Sequence, residues 1–327
     1  MGLAQKALYN SIRLTWLYDG DVSIEPWKVE DYRTLGLDEL FERLRFHDIF
    51  LDLATLKSHA DRVDSPEELT EELCKGEEVD PEEYDVIYLL IFELWRRSVP
   101  EKPTITILCD ELDHQIYHYA QGHKDHFEAL SDALDSLYHV LEENVDHGGE
   151  PVEVFSAVRE YCAQDVEHFL YDYIADQIDA RESDLALELL EQFYPFMLDK
   201  TWFDLLRARL AAVTDPRGAT EMIRKQVAAQ RANPSLELNF DILSFLVEIA
   251  SSDLFTEVFA DTVQLLESEE DFMELVTLAA DFFHALNHDA HEQKLMAMIE
   301  KRKGIALEAL IDEKDPDLMA LRQLLKV

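Results

Sequence analysis

The sequence predicts an all-α fold: an array of antiparallel helix pairs (an α-solenoid) preceded by a small N-terminal helical subdomain. Three observations carry this. Helix-pair patterns recur from Glu167, Thr201, Glu237 and Asp271, at steps of 34, 36 and 34 residues, and a fixed period in the mid-thirties marks a helical repeat. Apolar residues make up 47% of the 327 residues and fall mostly at helical spacing, with few β-branched runs. Only 9 Gly and 10 Pro occur, which suits helices joined by short turns.

Residues 1–35 read as a basic leader, partly coil. Lys6 and Arg13 are its only charges before Asp19, and Leu8, Ile12 and Trp16 share one helical stripe. An amphipathic helix docked back onto the acidic body is expected, with a membrane-surface or export tail as the alternative. Gly20, Pro26 and Gly36 punctuate a stretch read as coil with short extended pieces. Residues 36–80 form the small helical subdomain. Its last helix starts at Ser65-Pro66-Glu67-Glu68: a cap, Pro in the first turn, then an acid at the capping-box position. Asp80-Pro81-Glu82-Glu83 repeats that signal and opens residues 81–166, a helical region leading into the array. Its first helix, residues 84–97, is apolar nearly all round, so neighbours must bury it on several sides. Helices at 105–121, 125–143 and 151–164 follow.

The repeats span residues 167–303, as pairs 167–180/183–198, 201–213/217–232, 237–250/253–267 and 271–286/290–302. Pro195 is expected to kink the helix it lies in. Residues 304–327 are read as two capping helices, 305–312 and 317–325, since an open solenoid end exposes core. Residues 201–234 have Trp202 near the start of the first helix, Leu205-Leu206 one turn on, Ala219 opening the second and Asn233-Pro234 at the end. That unit resembles a tetratricopeptide repeat. Residues 167–198 are similar in outline, with Tyr171 and Tyr173 on one helix and Asp184-Leu185-Ala186 on the next. Leu206 stands where the repeat has a small residue, and the last two units lack the closing Pro. The resemblance implies a concave groove, lined by the first helices, that holds peptides or helices of other proteins.

The net charge of −41 repels phosphate backbones and anionic membranes, which argues against general nucleic-acid binding. It fits a self-repelling solvated surface, a docking surface for a basic partner, or adaptation to high salt. Cys74, Cys109 and Cys162 are too few and too dispersed for a disulfide framework or a Cys-based metal site, so a reducing, cytoplasmic setting is expected. No stretch of 18 apolar residues is present to cross a membrane, and no secretory signal run is found.

The sharpest chemical constellation is Glu111, His114 and His118, at i, i+3 and i+7 on one side of a helix. Glu-x-x-His is a ligand pair of di-iron bundles, so these residues are the candidate metal set. The competing reading is a solvated face, because His114 projects away from the apolar stripe Ile105, Leu108, Leu112, Ile116 and Tyr119. His123 and His126 add local density. Asp165/His168 and Asp281/His284/His288/His291 are weaker groups, read as a solvated polar face and as structural or surface residues. No cofactor is expected. P-loop, dinucleotide and nucleophile-elbow motifs are missing, which makes an enzyme the less favoured class.

Residues 200–234 are the basic exception, with seven basic residues against three acidic ones, a net of +4. Arg217, Arg224 and Arg231 are seven apart and form one stripe, and Glu221 is spaced to pair with Lys225. Arg207, Arg217, Arg224, Lys225 and Arg231 are therefore the candidate partner-binding residues, against a face closed by intramolecular salt bridges. The aromatic runs at 193–196 and 202–203 are expected in the core between units. The function expected is a non-catalytic protein–protein interaction module: an adaptor, scaffold or secretion-type chaperone. The alternatives are a metal-binding protein or metal-dependent enzyme using Glu111, His114 and His118, and an acidic protein that sequesters a basic partner.

Overall fold

The computed structural model describes residues 5–20, 23–76, 78–123, 127–312 and 314–325. Among them lie seventeen α-helices and no strand beyond one isolated antiparallel bridge. The chain divides into two compact units: Met1–Leu170 with Pro195–Met197, and Tyr171–Tyr194 with Leu198–Val327.

In the first unit, α2 (Leu37–Phe46), α3 (Leu53–Ala60) and α4 (Pro66–Cys74) lead into α5 (Pro81–Ser98). Both start signals are built as expected. Ser65 Oγ accepts from the Glu68 N–H at 3.1 Å, and Asp80 accepts from Glu82 and Glu83 N–H at 2.9 and 3.0 Å. These bonds satisfy donors that a helix start leaves open. Helices α2 and α4 pack on α5, and Leu90, Ile91, Phe92, Leu94 and Trp95 are fully buried, as the all-round apolar pattern requires. Arg96 and Arg97, at the α5 C-terminus, clamp the buried Glu93 carboxylate at 2.6 and 2.5 Å. Arg97 also donates to the carbonyls of Tyr32, Arg33 and Leu35, which fixes the segment between leader and α2. That segment holds two 3-10 turns, Pro26–Lys28 and Tyr32–Thr34, joined and flanked by single residues of extended backbone at Glu25, Asp31, Leu35 and Gly36.

The leader is a helix, α1 (Gln5–Tyr18), packed on α6 (Ile105–Ala120). Its buried face is not the predicted one. Leu8 is 60% exposed, whereas Lys6, Ala7, Tyr9, Asn10 and Leu14 are buried. The reason lies on α6, which offers α1 two buried carboxylates, Asp110 and Asp113, so α1 turns its polar side inward to meet them. Helix α6 also packs on α7 (Phe127–Asp146) and α8 (Pro151–Arg159). Helix α8 stops five residues before the predicted end, because the N–H groups of Ala163 and Gln164 leave the helix to bind Asp113 at 2.9 Å.

The division between units falls inside α9 (Val166–Asp179). The second unit continues with α10 (Ser183–Phe193), which ends in one 3-10 turn at Tyr194–Phe196. Pro195 thus terminates the helix instead of kinking it, since it supplies no N–H and disfavours helical geometry before it. Three pairs follow: α11 (Lys200–Ala212) with α12 (Pro216–Gln230), α13 (Leu236–Glu248) with α14 (Ser252–Thr262), and α15 (Glu269–Ala285) with α16 (Asp289–Arg302). Helices α11, α13 and α15 pack in succession, as do α12 and α14. This pairing is compatible with a helical repeat. One apolar cluster runs from Leu205 to Leu321, with Phe255 stacked on Phe282 at 3.8 Å between ring centroids.

Residues 305–312 are not the predicted helix. They run alongside the start of α15, where the Glu269 and Glu270 N–H groups donate to the carbonyls of Ala309 and Leu307 at 2.8 and 3.0 Å. The segment thereby caps donors that α15 leaves open. Helix α17 (Pro316–Leu325) closes the cluster with Leu318 and Leu321 buried.

Candidate functional site

Each unit holds one group of the candidate residues. In the second unit, Arg217, Arg224 and Lys225 lie on α12 and Arg231 is the residue that ends it, and all four are exposed. Arg224 and Arg231 converge on Glu257 of α14, Arg224 at 3.7 Å. Glu221 reaches Arg224 at 3.6 Å and not Lys225, a correction to the predicted pairing. Arg217 and Lys225 make no ion pair with any described residue. Arg217 sits in the first turn of α12, where the helix dipole disfavours a cation, so nothing in the helix itself explains its charge.

Arg207 belongs to a separate cluster. Its guanidinium lies 3.3 Å from the Tyr194 ring centroid, with the Lys200 ammonium 5.3 Å from the same ring. The Tyr194 hydroxyl donates to Asp204 at 2.8 Å, and Asp204 lies 3.9 Å from Arg207. Burial and that bond push the Tyr194 phenol up. Arg207 is half-buried and held in place, and its charge is shared among a ring and a carboxylate.

In the first unit the metal candidates sit beside the α1–α6 contact. Glu111 accepts from Arg33 at 2.9 Å and from the Gln115 carboxamide at 2.6 Å. Burial would raise its carboxyl, but Arg33 and Gln115 outweigh that and hold it below its ordinary range. His114 meets His118 edge-on at 4.4 Å between centroids, and His118 Nδ1 lies 2.8 Å from His123 Nδ1. His126 lies outside the described residues. Among the described residues no group of three or more His, Cys, Asp or Glu side chains is placed to hold a metal ion. The charge such an ion would bring is supplied by Arg33 and Lys6, which meet the Asp110 carboxylate at 2.7 and 3.1 Å.

Sequence reasoning missed the heart of this region, namely Lys6, Asn10, Arg33, Asp110 and Asp113. Asn10 bridges Asp110 and Asp113 at 3.1 and 3.0 Å. A cavity of about 30 Å³ lies among them, lined also by Arg13 and His114. That is room for one or two waters, and Arg13 Nε is buried there without a partner among the described residues. The signal that could have found the cluster is the basic leader itself: two cations and no acid in its first eighteen residues, in a chain of net −41.

Burial pushes the Asp113 carboxyl up to about 6, and burial with the neighbouring Arg33 charge pulls His114 down to about 4. The two act in opposite senses on stability. Asp113, raised in the folded state, contributes stability that is full below its unfolded value and lost as pH rises through about 6. His114, depressed from 6.5, contributes stability present above pH 6.5 and lost as pH falls through about 4. The variant His114→Gln is therefore expected to gain on wild type between pH 7 and pH 4, by about 1–2 kcal/mol for a ring that solvent still partly screens. Denaturant melts at both pH values check this; a constant difference would refute it.

The other sequence groups are structural. Asp165 accepts from the Glu167 and His168 N–H groups at 3.2 Å and caps α9. Helix α15 ends at Ala285 and His288 stands at the N-cap position of α16 without a side-chain cap bond, while His284 pairs with Glu292 at 3.1 Å and His291 stacks on Phe283. All three cysteines are free thiols. Cys109 and Cys162, dispersed in sequence, are neighbours here: a hydrogen bond to Cys109, with burial, pushes the Cys162 thiol up.

No family model, curated protein sequence or solved structure matches the chain.

Proposed function

We propose that this chain is a non-catalytic protein-binding module. Its pairs from α11 to α16 act as a tetratricopeptide-like solenoid whose groove holds a peptide or helix of another protein. The observation that carries the reading is a pair of exposed cations with no ion-pair partner among the described residues, Arg217 and Lys225 of α12, in a chain of net −41. Single exposed cations without an ion pair among the described residues also occur elsewhere, at Arg45, Lys57, Arg181 and Lys294, so the weight rests on two of them sharing α12, an arrangement that suits an acidic segment or a peptide carboxylate. The succession of first helices α11, α13 and α15 supports the groove. An adaptor, scaffold or chaperone of the cytoplasm fits this reading, and the three free thiols are in keeping with a reducing compartment.

Fluorescence anisotropy with a blocked Glu/Asp-rich peptide of about fifteen residues tests it at roughly 0.15 M salt, where the global field is screened beyond about 8 Å and local cations decide. Saturable binding is expected, weakened about tenfold in R217E/K225E. No binding, or equal binding by the variant, would sink the reading. Binding of a Lys-rich peptide alone would favour the sequestering alternative.

A further inference from the structure

A cavity of about 330 Å³ opens within the second unit, walled by Val227, Pro234, Val258 and Leu265 and reached by Gln230 of α12 and Asn239 of α13. Asn239 stands in a helix interior and is 6% exposed, and its carboxamide makes no hydrogen bond to any described residue. Both carboxamide atoms of Gln230 are buried, again without a partner among the described residues. Buried side-chain amides are almost always hydrogen-bonded, because the interior withholds the water they give up. The Gln230 amide is closed off from the cavity, whereas the Asn239 amide opens onto it and is free to donate and accept there, in a space at the lower end of ligand-site sizes.

The walls and the charges narrow its chemistry. A carboxamide donates and accepts at once, which matches a peptide group. The remaining wall is aliphatic. Arg231 at the rim is committed to Glu257, and Asp261, also at the rim, is exposed with no ion pair to a described residue, so an anion would enter against net repulsion. We propose that the cavity binds an uncharged peptide segment, taking one branched aliphatic side chain against Val227, Val258 and Leu265 and one peptide group against Asn239. The assignment stands on Asn239 and does not depend on Arg217 or Lys225.

N-acetyl-leucine N-methylamide is the probe, followed through the Asn239 side-chain NH2 resonances of the full chain. A saturable shift in the millimolar range is expected, at least fivefold weaker with N-acetyl-leucine, whose carboxylate meets Asp261. Asn239→Leu should abolish binding, read on neighbouring backbone signals, while melting close to wild type, since the amide it removes makes no hydrogen bond to a described residue. Leu265→Trp, at a half-buried wall position, should block the cavity and leave the Asn239 signal in place but unshifted. No saturable shift, undiminished binding by either variant, or equal binding of the carboxylate would each overturn the proposal. R217E/K225E should bind the probe as wild type does, so failure of the basic-face reading and failure of this one are told apart.

Discussion

Arg302→Met is expected to destabilise the second unit by about 3–5 kcal/mol, the usual cost of leaving a buried charge without its partner. Arg302 is 6% exposed and Glu269 2%. The guanidinium holds Glu269 through two bonds at 2.6 and 2.5 Å and Asp315 through two at 2.9 and 3.0 Å, and it reaches Asp317 at 3.1 Å while lying over the Phe272 ring. Three carboxylates gather on one cation, and of the three Lys301 meets only Asp317. Removing Arg302 leaves Glu269 buried and charged at the start of α15, where residues 307–311 are paired. The double variant R302M/E269M should recover most of the loss, because an apolar pair can replace a buried ion pair. Denaturant unfolding of both variants checks this; a loss below about 1 kcal/mol for R302M would contradict the latch described here.

Asp110→Ala is expected to cost the first unit a similar 3–5 kcal/mol and to release α1. Asp110 is the common acceptor of Lys6, Asn10 and Arg33. Burial favours its neutral form, yet Lys6 and Arg33 hold its carboxyl well below the usual range. Burial likewise lowers the Lys6 ammonium. Without Asp110 both cations lose their shared partner, and Lys6 has no other ion pair within the described residues. Hydrogen exchange followed by mass spectrometry should show residues 5–18 losing protection while α13 and α15 keep theirs. Retained protection in α1 would mean that Tyr9 and Leu14 suffice to hold it.

Both devices were hidden from sequence for the same reason. Lys6 and Asp110 are 104 residues apart, and Glu269 and Arg302 are 33 apart; no local pattern links them. Local signals did well. The Ser65 and Asp80 starts, the all-round apolar α5 and the helix pairs from α11 to α16 were legible because caps and periodicity act within a few residues. Residues 305–312 failed because their helical pattern was overridden by unpaired N–H groups of α15. Leu8, Ile12 and Trp16 misled because an apolar stripe was assumed to be the buried one, while the carboxylates of α6 drew in Lys6 and Asn10 instead. At the candidate site, spacing placed Arg217 and Arg224 on one helix, with Arg231 falling at its end, but said nothing of Glu257, which closes Arg224 and Arg231. Asn239 carried no signal at all: an Asn within Leu238-Asn239-Phe240 reads as an ordinary interruption until its missing partner is seen.

Affinity capture from native lysate tests the central claim most directly, with wild type and R217E/K225E compared by quantitative mass spectrometry at physiological salt. The account predicts a near-stoichiometric partner with an acidic segment, present with wild type and depleted about tenfold with a variant that stays folded by circular dichroism. Recovery of the same partner by both proteins, or of basic proteins alone that wash off with salt, would contradict it.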